Sequence, residues 1–473
     1  MHYHLIGIAG SAMGSLAGLL RARNHRVTGS DEGVYPPMST LLDEMGIAYA
    51  RAFDPGNLRP TPDTVVVGNA VSRGNPELEA TLDQGLRYTS AASLLREEFL
   101  EGHHVLAVAG THGKTTTASL LAWILQSAGL NPSFLVGGIA RNFGTSFRLA
   151  ESDYFVVEAD EYDTAYFDKG PKMWHYRPRT AIVTNVEFDH ADIYPDPDAY
   201  RYAFARFINL IPSNGTLVAG YGSGAVRSLS RRSLAPVESF GVGAARVAAN
   251  GEPHPRWRAE RIVQGPEGTT FRLFHDGRAL GSIRSPLVGA FNVENCLAAI
   301  AGAVAAGADL ERVRAAIPRF GGVKRRMEAR GEAGGITVVD DFAHHPTAVT
   351  AVIGGARARF PGRRLIAVFE PRSYTAQRRE FQEEYCDALG GADRVVVAGL
   401  FRPERYDAGT GLDPDALARS ISNDGVHASH IPRVEEILDR LVPELEPGDV
   451  VLILSNGAFG GIHGKLLRRL RNR

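Results

Sequence analysis

The run Gly110-Thr111-His112-Gly113-Lys114-Thr115-Thr116 lies between an apolar stretch at 105–109 and an amphipathic run at 117–127. A strand that turns through glycines into a helix N-terminus belongs to a parallel α/β sheet and forms a cradle for phosphate. Glycine lets backbone N–H groups approach anionic oxygens, and the helix end adds partial positive charge. Lys114 then brings a full charge to the terminal phosphates, and the Thr115 hydroxyl is placed for Mg²⁺. The usual phosphate-loop pattern asks for glycine where Val108 stands, so a compact G-T-x-G-K-T-T remains. The chain is expected to bind a nucleoside triphosphate. Lys114 should serve phosphate rather than packing, so Lys114→Ala should remove activity and leave the fold intact.

With 473 residues, the chain has room for about three domains of ~150 residues. Apolar strands alternate with helical runs almost throughout, which is the grammar of parallel sheets covered by helices. The fold expected is therefore α/β in three parts. The first is Rossmann-like (1–100), the second a phosphate-loop ATPase with an antiparallel insertion (101–320), and the third Rossmann-like (321–473). The insertion is read from about Arg246 to Ile283, where short strands are broken by Gly265-Pro266-Glu267-Gly268 and Asp276-Gly277. An alanine-rich helix at 293–306 follows, and Phe320-Gly321-Gly322 reads as a hinge. Lys plus Arg (52) nearly balances Asp plus Glu (53), so no field calls for nucleic acid or an anionic membrane. Two separated cysteines, no secretory leader and no apolar run of ~20 residues point to the cytoplasm. The oligomeric state is not legible.

Other polar clusters stand at strand ends, where such sheets bind ligands. Gly7-Ile8-Ala9-Gly10-Ser11-Ala12-Met13-Gly14 follows the first strand, and Asp31 ends the second. Gly10, Ser11 and Asp31 are thus candidates for a pyrophosphate-bearing nucleotide. Glu158-Ala159-Asp160-Glu161 ends an apolar strand, and Glu158 with Thr115 offers the hard oxygen ligands Mg²⁺ needs. Thr184-Asn185-Val186-Glu187-Phe188-Asp189-His190 ends the next. Asn292 and Asn295 open the alanine-rich helix, either as a cap or as amides that read an adenine edge. Lys324-Arg325-Arg326-Met327-Glu328 and Asp340-Asp341-Phe342-Ala343-His344-His345-Pro346 start the last part, as if to close over a nucleotide. Arg372 and Ser455-Asn456-Gly457 follow later strands, where a basic group and a backbone nest suit an anionic ligand.

These motifs, in this order over essentially the whole chain, resemble the Mur ligase family. Its members are ATP-dependent enzymes that join an amino acid or peptide to a UDP-N-acetylmuramoyl carboxylate. The resemblance implies a UDP-sugar domain, a central ATPase and a mobile C-terminal domain for the amine. It further implies that Gly110, Thr111, His112, Gly113, Lys114, Thr115 and Thr116 hold ATP phosphates. Thr115, Glu158 and His190 then hold Mg²⁺, Asn292 and Asn295 face adenine, Arg326 reaches the phosphates, and Asp341 the ribose. Some sister ligases carry a carbamylated lysine in the helix after T-N-x-E-x-D-H; the run 198–209 has none. This matches the branch whose acceptor is UDP-N-acetylmuramate itself. Within it, Glu158-Ala159-Asp160-Glu161-Tyr162-Asp163, Phe369-Glu370-Pro371-Arg372-Ser373 and the segment at 455–463 resemble ligases that add recycled L-alanyl-γ-D-glutamyl-meso-diaminopimelate. The alternative is the L-alanine-adding branch.

A free carboxylate does not react with an amine, because hydroxide leaves poorly. Phosphorylation to an acyl phosphate solves this, and catalysis becomes positioning and charge neutralisation by Lys114, Mg²⁺ and Arg326. His344 or His345 is placed to help deprotonate the amine. A nicotinamide oxidoreductase would explain Gly7, Gly14 and Asp31 but not the Lys114 cradle. An ATPase acting only as a conformational switch would turn over ATP without an amine.

Overall fold

A computed structural model describes residues 1–35, 38–243, 254–401, 404, 406 and 409–473. The first sheet holds β1 (His2–Ile6), β2 (Arg26–Ser30), β3 (Ala48–Ala50), β4 (Thr64–Val67) and β5 (Tyr88–Ser90). All its pairs are parallel, in the order β3-β2-β1-β4-β5. The order reverses beside β1, so the crevice above its carboxyl end lies at the Gly7 turn.

The central sheet has ten strands. They are β6 (His104–Ala109), β7 (Ser133–Ala140), β8 (Thr145–Arg148) and β9 (Tyr154–Glu158), then, after a separate ribbon of β10 (Asp163–Ala165) and β11 (Asp168–Pro171), β12 (Thr180–Val183), β13 (Thr216–Gly220) and β14 (Val237–Val242). Three antiparallel-paired strands complete it: β15 (Trp257–Gly265), β16 (Gly268–His275) and β17 (Arg278–Ser285). The order is β17-β16-β15-β14-β13-β12-β6-β9-β7-β8. The antiparallel segment expected from sequence is therefore present, but it extends the sheet through the parallel β14–β15 pair. Its expected start, at 246–253, lies outside the described residues. The two acidic clusters do not end adjacent strands: β6 lies between β9 and β12. That arrangement puts one cluster on each side of the phosphate loop.

The third sheet runs β18-β19-β23-β20-β21-β22, with β18 (Glu328–Ala333), β19 (Ile336–Asp341), β20 (Leu365–Phe369), β21 (Arg394–Val397), β22 (His427–His430) and β23 (Val450–Leu454). Only β18 is antiparallel. The carboxyl ends of β19, β20 and β23 gather Asp341, Glu370 and Ser455 on one edge.

The helices Lys114–Ser127 and Ala290–Ala305 share a core with β6, β9 and β12. The second is rich in alanine because it lies close: a Cβ on Gly302 would come within 2.6 Å of Ile182 Cδ1. Such proximity excludes branched side chains at that face. The first sheet docks on the central one through the helix Ser11–Ala22, where Gly18 leaves room for the Phe147 ring and Ser15 bonds Ser146 at 2.8 Å. The segment read as a hinge is tethered to β7: Gly322 O accepts from Arg141 N, and Lys324 N donates to Ile139 O. Among the described residues no helix is long and apolar enough to cross a membrane.

Candidate active site

Gly110 and Gly113 take φ values of +134° and +84°, which β-carbon-bearing residues rarely adopt. A side chain on Gly110 would collide with the Thr184 hydroxyl, and one on Gly113 with the Asn295 amide. The loop thus follows a path only glycine permits, held from above by Asn185, whose Oδ1 accepts from His112 N at 2.8 Å. Thr111 Oγ1 donates to Glu187 O and receives Glu187 N in return. The helix begins at Lys114 with no side-chain cap, leaving its first N–H groups for an anion.

Lys114 does not reach outward in this structure. Its Nζ donates to Gly110 O at 2.7 Å and to both oxygens of Glu161, at 2.8 and 2.6 Å. Glu161 is fully buried and also accepts from His190 Nε2 (3.1 Å) and Tyr200 OH (3.3 Å). Burial opposes the Lys114 charge, but the Glu161 carboxylate overrides it and raises the ammonium above its ordinary value. Burial likewise opposes protonation of His190, and Glu161 with Asp189 overrides it upward. Glu161, quoted in the E-A-D-E motif, carries no role in the sequence reading. Its signal was there: a second glutamate three residues beyond the strand end reaches back over the loop. The expectation that Lys114 has no structural part is corrected, because it neutralises a buried acid.

Glu158, at the end of β9, accepts from Thr115 Oγ1 at 2.9 Å and from Gly137 N at 2.6 Å. Burial nevertheless pushes its carboxyl up, against Lys114 and Arg326. A buried carboxylate joined to a threonine hydroxyl at the mouth of a phosphate loop matches the hard-oxygen donor set of Mg²⁺. His190 is turned onto Glu161 instead, so only two of the three expected ligands are already paired. Arg326 Nη2 lies 3.3 Å from Thr115 Oγ1, carrying a cation from the third sheet to the loop.

Other expected contacts differ. The helix Ala290–Ala305 is capped at Gly289 without a side chain, so Asn292 is not its cap. Asn292 and Asn295 bond each other at 3.0 Å, and Asn295 Oδ1 accepts from Thr117. They are 7 % and 5 % exposed, and their amides tie the two helices together. Asp341 is 3 % exposed and is taken up by backbone, accepting from Met327 N and Ala343 N. It holds a turn in which Arg325 and Met327 have φ of +61° and +48°. That strained turn aims Arg326, so Asp341 acts through backbone geometry.

In the third sheet, His344 Nδ1–H donates to Phe342 O at 3.0 Å, and burial holds the ring down to about 4. It is a neutral imidazole near pH 7, with Nε2 available as acceptor. Thr375 Oγ1 donates to Asp189 Oδ1 at 2.5 Å, a second tie between the sheets. Arg372 stacks on Phe401 at 3.9 Å and covers Gly457, so the structure brings it together with Asn456. Arg325 Nη2 bonds the carbonyls of Ser455 and Gly457, fixing that turn. At the far end, Asp31 accepts from Ala9 N at 3.0 Å and Gly33 N at 2.8 Å, pinning the glycine turn beside Gly10 and Ser11.

An anion cradle on a central sheet, flanked by a glycine turn on the first sheet and met by Arg326 from the third, fits an ATP-using ligase architecture. Three family models cover the chain: "Mur ligase family, catalytic domain" at 2–101, "Mur ligase middle domain" at 108–303, and "Mur ligase, glutamate ligase domain" at 325–457. The chain belongs to the Mur ligase family. It is 41% identical over 475 residues to UDP-N-acetylmuramate–L-alanyl-gamma-D-glutamyl-meso-2,6-diaminoheptandioate ligase of Haemophilus influenzae, covering 99% of each chain. Identity to UDP-N-acetylmuramate–L-alanine ligase of Symbiobacterium thermophilum is 34%, covering 99% and 95%. The crystal structure of a murein peptide ligase from Psychrobacter arcticus matches with TM-score 0.75 and 36% identity, covering 100% and 99%.

Proposed function

We propose that this chain is an ATP-dependent ligase of peptidoglycan recycling. It joins L-alanyl-γ-D-glutamyl-meso-diaminopimelate to the lactyl carboxylate of UDP-N-acetylmuramate through an acyl phosphate. The observation that carries the reading is the convergence of Lys114, Glu158–Thr115 and Arg326 on one phosphate loop from two sheets. The choice of tripeptide over L-alanine is supported by the 41% against 34% identities and by Arg372 beside Asn456. Asn456 keeps a buried amide oxygen without a protein partner, an acceptor for a substrate N–H.

The assignments follow by block. Residues 1–100 take the UDP-sugar at the Gly7–Gly10 turn, with Gly10, Ser11 and Asp31. Residues 101–320 take ATP, and 321–473 take the peptide. Thr115 and Glu158 would hold Mg²⁺, with His190 completing the set once released from Glu161; the ion supplies neutralisation of phosphate charge. As triphosphate enters, Lys114 exchanges Glu161 for phosphate oxygens, and Arg326 adds its charge from the third sheet. Neutral His344 orients the incoming amine by accepting a hydrogen bond at Nε2. Closing the third sheet excludes water that would hydrolyse the acyl phosphate.

The test is ATP turnover with Mg²⁺ and each substrate omitted in turn. The reading predicts ADP formation only when UDP-N-acetylmuramate and amine are both present. Turnover independent of amine would make the chain a conformational ATPase instead.

A further inference from the structure

No step of the ligation proposed above uses the imidazoles of His112 and His345 or the carboxylate of Glu187, although the His112 backbone belongs to the phosphate loop expected to hold ATP. His112 projects from the phosphate loop, Glu187 from the segment after β12, and His345 from the N-terminal edge of the helix Pro346–Arg359 in the third sheet. His112 Nε2 is 2.9 Å from Glu187 Oε2, and the His112 and His345 rings are 5.0 Å apart. One donor atom from each residue falls within 4.8 Å of the other two. His345 is 4 % exposed, and neither of its ring nitrogens has a hydrogen-bond partner. A buried imidazole with two idle nitrogens calls for an explanation, since such groups are nearly always satisfied.

We propose that His112, Glu187 and His345 form a binding site for a divalent transition-metal ion of the Zn²⁺, Co²⁺ or Ni²⁺ class, distinct from the Mg²⁺ site at Thr115 and Glu158. Two imidazoles and one carboxylate are the donor set that such ions take in three-ligand tetrahedral sites, with a fourth position open. Hard ions such as Mg²⁺ prefer all-oxygen shells and compete poorly here. Binding needs the donors to draw in from 4.8 Å to the separations set by metal–nitrogen bonds of ~2.0–2.1 Å, a side-chain movement. Thr347 Oγ1 donates to Glu187 Oε1 at 2.6 Å, orienting the carboxylate as outer partners of metal ligands do. A cavity of about 420 Å³, lined by Glu187, His345, Phe381, Glu384 and Asp387, provides an entry path with acidic walls. The ligands come from two sheets, so the ion would pin the third block to the phosphate loop.

The experiment uses the full-length protein, stripped by chelator and titrated with Co²⁺ in excess Mg²⁺ without nucleotide. The wild type should develop the intense visible absorption of four-coordinate Co²⁺ at one ion per chain. His345→Ala should lose it while melting as a folded protein. Glu187→Gln, which keeps the shape of the side chain, serves as a second variant should His345→Ala fail to fold. Glu158→Gln should keep the absorption. The proposal is overturned if the wild type shows no such band, if His345→Ala or a folded Glu187→Gln retains it, or if Glu158→Gln abolishes it.

Discussion

Lys114 Nζ lies 2.6 Å from Glu161 Oε2, in a pair whose side chains are 12 % and 0 % exposed. Before any phosphate arrives, the ammonium on the loop is the counter-ion of a buried acid. Lys114→Ala should therefore do two things. Losing a charge-stabilising contact raises the barrier by ~3–4 kcal/mol, or on the order of 10²–10³ in rate. Removing the ammonium also leaves buried Glu161 only His190 and Tyr200 as partners, which destabilises the fold by up to about 3–5 kcal/mol. The double variant Lys114→Met/Glu161→Gln should recover much of that stability and none of the activity. Thermal melts decide it: a single variant as stable as wild type would contradict the pairing.

Glu158→Gln removes an anionic oxygen but keeps the shape that Thr115 and Gly137 hold. Activity titrated against Mg²⁺ should shift to higher concentration, while KM for the peptide stays constant. A superimposable Mg²⁺ curve would move Glu158 out of the metal's shell.

Burial holds His344 down to about 4 and pushes His345 below the ordinary histidine value. In the unfolded chain both titrate near ~6.5. Between these values the unfolded chain binds more protons, so stability is complete above about pH 6.5 and is lost as pH falls toward 4. Melting temperatures of wild type and His344→Gln, compared from neutral pH to about pH 4.5, isolate the contribution. The variant should show the shallower fall, and parallel curves would refute the assignment.

Arg372 stacks on Phe401 over Gly457, at the edge where the peptide is proposed to lie. Arg372→Ala should raise KM for the tripeptide on the order of 10–100-fold, as expected for a lost charge-assisted hydrogen bond. KM for ATP should barely move. Equal increases in both would point to a general disturbance of the third sheet.

Much of this architecture was legible in the chain. β6 and the helix after it follow from an apolar run, glycines and Lys114, all local signals. Strands β20 and β23 are continuous apolar runs, as suits strands buried on both faces, and β19 and β21 carry shorter ones at Val338-Val339 and Val395–Val397. The reach of β15 into the central sheet was not legible, because pairing with β14 is a long-range choice that alternation does not encode. The site divides in the same way. Residues on the loop and at strand ends were identified from their own segment. The partners of those residues were not, because Glu161, Asn185 and Thr117 meet them only through folding. The expected adenine contacts of Asn292 and Asn295 came from their amides and from the family resemblance, and the ribose contact of Asp341 from the resemblance alone. What the segment could not show is that these side chains also tie the two helices and the Arg326 turn together.

The most direct measurement of the central claim is phosphate release with UDP-N-acetylmuramate, ATP and Mg²⁺, offering either the tripeptide or L-alanine as amine. The account predicts efficient release with L-alanyl-γ-D-glutamyl-meso-diaminopimelate and poor release with L-alanine. Efficient use of L-alanine with indifference to the tripeptide would contradict it and make the chain an alanine-adding ligase.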